Sequence, residues 1–298
     1  MRKEILGTIV LLPLAATLIQ HPSPNFLERF DVDSGQEVTP TILVLHYTAQ
    51  PLWRVQEIFA KTDVPTPVSA HYTIDADGHV YQHVLEEKAA RHAGVSYWQG
   101  LEGPDATQKK INFHSIGIEH VNLGYRVNSR QPQGIVVKGS DKEWYPYDAR
   151  QIEATIALCK KILQRNKKIL PRNVVAHSDI APRRKNDPGP LFPWKKLAEH
   201  GIGVWPDSSK LYPLRCLSRT VFNDEAKRTE WLIKHLHIWG YRLPDADVTQ
   251  EDIIRAFQMH YRPTLIDGKA DKETVARLQA LLCEHCLINK KCSCLLTA

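Results

Sequence analysis

Short apolar runs alternate with helical patterns over the first two thirds of the chain. Five short runs of apolar or alternating residues predict β-strands: residues 41–46, 72–75, 79–84, 115–121 and 173–177. Asp77-Gly78 separates the second run from the third and predicts a hairpin. Apolar positions at helical spacing predict helices over 52–61 and 148–165. This order predicts an α/β fold in which a mixed β-sheet is flanked by helices.

The remainder of the chain has a purely helical pattern. It follows a polar, proline-containing stretch that we interpret as a linker. Three helices are expected beyond it, the first closed by Gly240 and the second opened by a capping box at Thr249. The chain therefore divides into an N-terminal segment, a first domain, a linker, a small three-helix domain and a cysteine-rich tail, with bounds 1–20, 21–205, 206–217, 218–282 and 283–298.

The N-terminal segment has the features of an export signal. Arg2 and Lys3 precede an apolar run from Ile5 to Ile19, which is shorter than the roughly 20 residues that cross a membrane comfortably. We therefore expect a signal peptide and a periplasmic protein. The alternative is an uncleaved N-terminal anchor, which would be its only route to a membrane. No cysteine follows the run, so a lipoprotein is not expected.

Cysteine content and charge add two further expectations. Four of the six cysteines lie in the tail as CEHC-x5-CSC, which in an exported protein favours disulfides over the alternative, a small metal knuckle. The net charge of +6 is mild and spread along the chain. It suits an anionic polymer, but alone it is too weak to indicate nucleic-acid binding, and no nucleic-acid partner is expected.

One short, proline-bounded loop carries His177, Lys185 and Asp187. Histidine and aspartate are both good ligands for zinc. His46, at the end of the run 41–46, can supply a third ligand. Two histidines and one carboxylate, with one position left open, are typical of a catalytic rather than a structural zinc site. We therefore expect one Zn²⁺ per chain.

Several segments of the chain resemble the type-2 family of zinc-dependent N-acetylmuramoyl-L-alanine amidases, and most closely its periplasmic AmiD branch. The resemblance runs from about His21 to Pro206. The segments that carry it are LVLHYTA, HYTI, RHAG, HSIGIEHVN and VVAHSDIAPRRKNDPGPLFPW. Near the C-terminus, AFQMHYRPTLIDGKADKET resembles the three-helix peptidoglycan-binding domain found behind such amidases.

The resemblance implies a fold, an activity and a set of site residues. The fold is similar to that of peptidoglycan-recognition proteins, and the activity is hydrolysis of the amide bond between N-acetylmuramic acid and L-alanine in peptidoglycan or muropeptides. The implied zinc ligands are His46, His177 and Asp187, and the implied catalytic residues are Glu119 and Lys185. Burial on an apolar strand would raise the pKa of Glu119 toward the range of a general base, and Lys185 would stabilise the oxyanion.

Other polar residues in or near the matching segments give weaker predictions. We expect substrate contacts from His71, His92, Gly94, Asn112 and Arg184, although each histidine has a structural role as its alternative. His79 and His83 alternate on one strand of the predicted hairpin. They could mimic a pair of metal ligands, but we expect an exposed hairpin face.

Two alternative functions follow from the same residues. One is a non-catalytic protein that recognises peptidoglycan. The other is a cytoplasmic amidase that recycles anhydro-muropeptides, against which the apolar N-terminus and the helical domain argue. The helical domain has no cluster of acids, bases or nucleophiles. We expect it to anchor the enzyme to the wall, with a structural cap on the amidase domain as the alternative.

Overall fold

A computed structural model describes five ranges of the chain: residues 18–30, 35–99, 110–127, 134–207 and 223–285. The apolar run at the N-terminus, most of the predicted linker and most of the cysteine-rich tail therefore lie outside the described residues. Within the described ranges, no helix combines the length and the apolar character that crossing a membrane requires.

The described residues form eleven strands and eight α-helices. The strands are β1 Leu18–Gln20, β2 Phe26–Glu28, β3 Ile42–Tyr47, β4 Tyr72–Ile74, β5 Val80–Gln82, β6 Lys88–Ala90, β7 Ser115–His120, β8 Tyr125–Val127, β9 Ile135–Val136, β10 Lys142–Trp144 and β11 Val174–Ala176. The helices are α1 Leu52–Ala60, α2 Lys110–His114, α3 Ala149–Arg165, α4 His177–Ile180, α5 Trp194–Glu199, α6 Glu225–Trp239, α7 Gln250–Tyr261 and α8 Lys272–His285. All five predicted strands, both predicted helices of the first domain and the three C-terminal helices are present.

The main sheet has six strands in the order β1-β5-β4-β7-β3-β11. Strands β4, β7, β3 and β11 run parallel to one another, whereas β5 is antiparallel to β4. The antiparallel pair β4–β5 is the hairpin that Asp77-Gly78 predicts, and Gly78 adopts the positive φ of +89° that its turn requires. The predicted mixed sheet is therefore confirmed.

Each face of this sheet is covered by a different set of helices. Leu43 and Leu45 of β3 point to the face that packs against α3 and α5, whereas Ile42 and Val44 point to the face that packs against the C-terminal helices. The apolar positions at helical spacing in α3, Ile152, Ile156, Cys159 and Ile162, lie in the core on the first of these faces. Those of α6, Leu232, Leu236 and Trp239, lie in the core on the other face. The C-terminal helices thus share a continuous hydrophobic core with the sheet.

The join between the sheet and the C-terminal helices is tight where α6 ends. Gly240 closes α6 with a φ of +147°. A Cβ atom at this position would lie 2.5 Å from the Trp98 ring, so glycine lets the indole pack against the end of the helix. Thr249 and Asp252 form the predicted capping box at the start of α7.

Residues 18–30 bind to the edge of the main sheet and change the expected environment of the hairpin. β1 pairs with β5 in parallel register, and the main chain of His21 accepts a hydrogen bond from His83 Nδ1 at 2.8 Å. His83 is consequently only 3% exposed, whereas the His79 side chain is 50% exposed. The expectation of an exposed hairpin face is correct for His79 and wrong for His83.

Candidate active site

Three parallel strands bring polar side chains to the same edge of the main sheet. In the pairing of β3 with β7, His46 lies beside Glu119. In the pairing of β11 with β3, Ala176 lies beside Leu45, so His177 leaves the sheet next to His46. The carboxyl ends of parallel strands are the usual position of a site in an open α/β sheet. The register of the strands therefore places His46, Glu119 and His177 next to one another.

His46, His177 and Asp187 form a compact group that could hold a metal ion. The Nδ1 atoms of the two histidines are 2.8 Å apart, and Asp187 Oδ2 lies 3.0 Å from that of His46 and 2.8 Å from that of His177. None of the three residues is more than 4% exposed. The structure brings all three predicted ligands together.

The charge states of this group suit a cation. Burial, with a smaller contribution from His177, lowers the pKa of His46 to about 3, so its imidazole is neutral at physiological pH. Burial alone would raise the pKa of Asp187, but its interactions with His177 and His46 act in the opposite direction and hold the pKa well below its usual value. Asp187 is therefore a buried carboxylate, and buried charges in proteins are paired with an opposite charge or coordinate a metal ion.

The hydrogen bonds around the histidines leave lone pairs directed into the group. His177 Nε2 lies 2.9 Å from the carbonyl oxygen of Ala93, which can only accept, so Nε2 carries the hydrogen. In the neutral ring, Nδ1 then presents a lone pair toward His46 and Asp187. His46 Nδ1 and Asp187 Oδ2 lie within 3.0 Å of this lone pair, and a cation between the three atoms would be attracted to all of them. The donor set of two imidazole nitrogens and one carboxylate oxygen fits a divalent transition-metal ion.

Glu119 stands next to the candidate metal site with one free oxygen. Its Oε1 lies 3.9 Å from His46 Nδ1, and its Oε2 is buried without a hydrogen-bond partner among the described residues. Burial, with a further contribution from Asp187, raises the pKa of this carboxyl group well above its ordinary value, while Lys185 acts in the opposite direction. A carboxylate with a raised pKa and a free oxygen can take and return a proton.

Lys185 reaches the same cluster from a turn. The residues before it, 182–184, form a turn, and its main-chain N–H donates to the carbonyl oxygen of Ala181 at 3.0 Å. Its positive charge lowers the pKa values of both His46 and Glu119. The ammonium group therefore acts electrostatically on the site.

Comparisons with known proteins identify the family of this chain. The sequence profile of the family described as N-acetylmuramoyl-L-alanine amidase matches residues 36–190, more than half of the chain and the whole of the metal-ligand group. The chain belongs to this amidase family. It is 40% identical over 251 residues to the N-acetylmuramoyl-L-alanine amidase AmiD of Escherichia coli K12, which amounts to 81% of this chain and 82% of AmiD. The sequence-based resemblance is therefore confirmed.

Solved structures with the same fold include two with muropeptides bound. E. coli AmiD, in complex with anhydro-N-acetylmuramic acid-L-Ala-D-γ-Glu-L-Lys, matches with a TM-score of 0.67 at 35% identity, over 88% of this chain and 98% of AmiD. AmpDh3 of Pseudomonas aeruginosa, in complex with an anhydromuramic pentapeptide, also has a TM-score of 0.67 at 35% identity, over 86% of this chain and 98% of AmpDh3. The fold and the amidase activity are thus those of the family.

In this amidase, the His71 side chain is enclosed within the fold. It is completely buried, and both ring nitrogens are used internally: Nδ1 accepts from the Gly117 N–H at 3.0 Å, and Nε2 lies 3.0 Å from the carbonyl oxygen of Lys88. Burial, with a smaller contribution from Arg29, lowers its pKa to about 3. The expectation of a substrate contact is corrected here, because His71 has no surface and no free nitrogen to offer.

The other four predicted substrate contacts lie around one loop behind the metal ligands. Asn112 Oδ1 accepts from the main-chain N–H groups of His92 and Ala93 at 3.1 and 2.8 Å. Arg184 donates to the carbonyl oxygens of Ala93 and Val95, both at 2.7 Å. Gly94 has a φ of +62° and leaves room for the Arg184 guanidinium. The described contacts of these residues are with this loop and, for the side chains of His92 and Arg184, with other residues around the metal ligands. They provide no support for the predicted substrate contacts.

Sequence reasoning assigned no role to Ser115 and Gly117, which lie under this loop. The signal for them was the glycine inside the apolar run Ser115–His120, since a glycine within a strand often marks a close approach by another group. Here the group is the imidazole of His92: a Cβ atom on Gly117 would lie 2.5 Å from its Cγ.

Proposed function

We propose that this amidase is a zinc enzyme that hydrolyses the bond between N-acetylmuramic acid and the L-alanine of the stem peptide. The observation that carries the proposal is the cluster of His46, His177 and Asp187 beside a Glu119 oxygen that has no hydrogen-bond partner in the described part of the chain. Two imidazoles and one carboxylate form a ligand set used by catalytic zinc, and they leave a position for water or substrate. A bound zinc ion would supply Lewis acidity, which makes water more acidic and polarises an amide carbonyl.

The chain's own residues account for the proton and charge movements of amide hydrolysis. Glu119 takes a proton from the attacking water and delivers it to the leaving amine, a dual task that its raised pKa favours. Lys185 stabilises the negative charge that develops on the carbonyl oxygen. Burial of the ligands keeps bulk water away and strengthens both effects.

The proposed substrates are peptidoglycan and its muropeptide fragments. Support comes from the complexes of AmiD and AmpDh3 with anhydromuramic peptides, since the folds of these two proteins cover most of this chain. The proposed location is the periplasm, which suits the apolar N-terminal run. Residues Leu18–Gln20 form β1 on the main sheet, so we propose that any removable segment ends before Leu18.

Digestion of purified sacculi and defined muropeptides, followed by mass spectrometry of the products, tests the proposal. We expect free stem peptides from the wild type, none after EDTA treatment, and their return when zinc is added back. A His46→Ala protein should be inactive. Tight muropeptide binding by a metal-free protein that releases no peptide would favour the recognition protein instead. Recovery of the protein from the cytosol with an intact N-terminus would favour the recycling amidase.

A further inference from the structure

A buried chain of hydrogen bonds leads from the metal ligand His46 into the protein. His46 Nε2 lies 3.0 Å from His92 Nδ1, and His92 Nε2 lies 3.0 Å from Ser115 Oγ. Ser115 Oγ in turn contacts the carbonyl oxygen of Ile111. His46 and Ser115 are at most 1% exposed, and His92 is 9% exposed. The chain of contacts is therefore well separated from solvent.

The contact between Ser115 and Ile111 determines which atom is the donor and which the acceptor in each of the other hydrogen bonds. A carbonyl oxygen can only accept, so the Ser115 hydroxyl donates its hydrogen to Ile111. Ser115 Oγ is then the acceptor for His92, whose Nε2 must carry a hydrogen. In a neutral ring, His92 Nδ1 is consequently an acceptor, and His46 Nε2 is its donor. This leaves the lone pair of His46 Nδ1 facing His177 and Asp187.

Two further features hold the His92 ring in this place. Asn112 Oδ1 accepts hydrogen bonds from the main-chain N–H groups of His92 and Ala93, which fixes the loop. Gly117 leaves the space above β7 that the imidazole fills, because a Cβ atom there would lie 2.6 Å from His92 Nδ1. The His92 ring is thus fixed by the hydrogen bond to its main-chain N–H, by the close packing of its face on Gly117 and by the contact of Nε2 with Ser115.

His177 obtains the same orientation by a different route. Its Nε2 lies against the main-chain carbonyl oxygen of Ala93, the residue after His92. One tripeptide, His92-Ala93-Gly94, therefore orients both histidines, one through a side chain and the other through the main chain. Outer partners of this kind set the tautomer of a ligating histidine and its basicity.

We propose that His92, held by Ser115, is a positioning residue that keeps the Nδ1 lone pair of His46 directed at the metal. The inference rests on the proposed zinc site, because it concerns how well the ligands are prepared for the ion. His92 acts through His46 and touches neither substrate nor ion. The contribution expected from such an outer partner is about 10- to 100-fold in metal affinity.

A matched pair of variants tests the role of the acceptor. In His92→Asn, Oδ1 stands where Nδ1 stood and can still accept from His46, whereas His92→Leu has a similar shape and no acceptor. Zinc affinity of the full-length proteins is measured by competition with a chromogenic chelator. We expect the Leu variant to bind zinc about 10- to 100-fold more weakly and the Asn variant to stay within about threefold of the wild type, in line with a preserved outer hydrogen bond.

Two additional measurements keep the inference testable if the Leu variant folds poorly. Long-range ¹H–¹⁵N correlation spectra of the wild-type apoprotein should show both His46 and His92 with hydrogen on Nε2. Ser115→Ala should reduce zinc affinity in the same direction as His92→Leu but by less. Thermal unfolding of each variant verifies that a native fold is present.

The outcomes separate the inference from the function on which it rests. Equal zinc affinity of the Leu variant and the wild type would overturn it, and so would equal losses in the Leu and Asn variants or hydrogen on His46 Nδ1. A wild-type protein that binds no zinc at these ligands would overturn the proposed function as well, and activity assays would reveal that outcome independently.

Discussion

Buried histidines of this amidase differ in whether both ring nitrogens are occupied by protein groups. His71 and His83 each use both nitrogens within the fold, and they are structural residues. His46 uses only Nε2 in this way, and its Nδ1 faces Asp187 and His177. The sequence shows only that these residues are histidines. The sequence identifies His46 as a candidate ligand because it ends an apolar strand and can join His177 and Asp187. Whether the second ring nitrogen of a histidine has a hydrogen-bond partner depends on contacts between distant segments, which the sequence does not show.

His83 should make the fold less stable in mild acid. Its folded-state pKa is lowered from 6.5 to about 4, chiefly by burial, so the unfolded chain binds the proton more readily. Its contribution is fully present above pH 6.5 and is lost as the pH falls from 6.5 to about 4. We expect the free energy of unfolding of the wild type to fall across this window by about 3 kcal/mol more than that of His83→Gln.

Denaturant titrations of both proteins at several pH values provide this measurement. Parallel stability curves for the two proteins between pH 7 and pH 4 would contradict the prediction.

Replacement of Glu119 should separate catalysis from metal binding. Glutamine has the same shape but cannot take a proton, so Glu119→Gln should lower kcat by about 10²- to 10⁴-fold and leave zinc affinity nearly unchanged. Glu153→Gln, on the exposed face of α3, is the matched control and should retain full activity. Substantial activity in Glu119→Gln would assign the proton transfer to another group.

The parallel arrangement of β3, β7 and β11 explains why distant parts of the sequence form one site. The strands and their carboxyl-terminal residues could be predicted from apolar runs, and the register that pairs His46 with Glu119 follows from them. The attachment of residues 18–30 to the sheet could not be predicted. β1 and β2 have three residues each, which is too few for a periodic pattern. Strand pairing and side-chain contacts with distant residues hold the segment in place.

Asn25 makes several of the side-chain contacts of that segment, and its removal should be costly. Its amide nitrogen donates to the carbonyl oxygens of Phe59, Lys61 and Val68, the first two at the end of α1. Asn25→Ala removes the amide donor from the carbonyl oxygens of Lys61 and Val68, whereas that of Phe59 still accepts from Ser23 Oγ. We expect the variant to reduce the free energy of unfolding by about 2 kcal/mol. Gln20→Ala, at an exposed position of β1, should change it by less than about 0.5 kcal/mol.

Chemical unfolding of Asn25→Ala, Gln20→Ala and the wild type side by side provides the comparison. A loss of equal size in both variants would show that Asn25 has no special role in holding this segment.

The C-terminal helices and the sheet form one continuous core, and a polar contact ties them to the candidate metal site. Asp179, in the helix that begins with His177, accepts hydrogen bonds from Tyr241 Oη and His260 Nδ1, both at 2.6 Å. All three residues are at most 1% exposed. The helical pattern could be predicted from the sequence, whereas this contact joins positions more than sixty residues apart and has no local signal. We propose that the helices support the amidase domain whether or not they also bind the wall.

Loss of the contact between His260 and Asp179 should destabilise the whole molecule. His260→Phe keeps an aromatic ring stacked on Trp194 but removes the donor to Asp179, and we expect the free energy of unfolding to fall by about 3 kcal/mol. His200→Phe, an exposed position after α5, is the control and should be nearly neutral. Separate melting of the helices with an unchanged amidase transition would indicate two independent units.

The metal-ligand group is the central claim, and a crystal structure of the zinc-loaded protein with anomalous data at the zinc edge tests it most directly. We expect an anomalous peak among His46 Nδ1, His177 Nδ1 and Asp187 Oδ2, within about 2.0–2.2 Å of each of these atoms. That peak should be lost in His46→Ala. Crystals with no peak at this position, or with zinc only elsewhere in the molecule, would contradict the account.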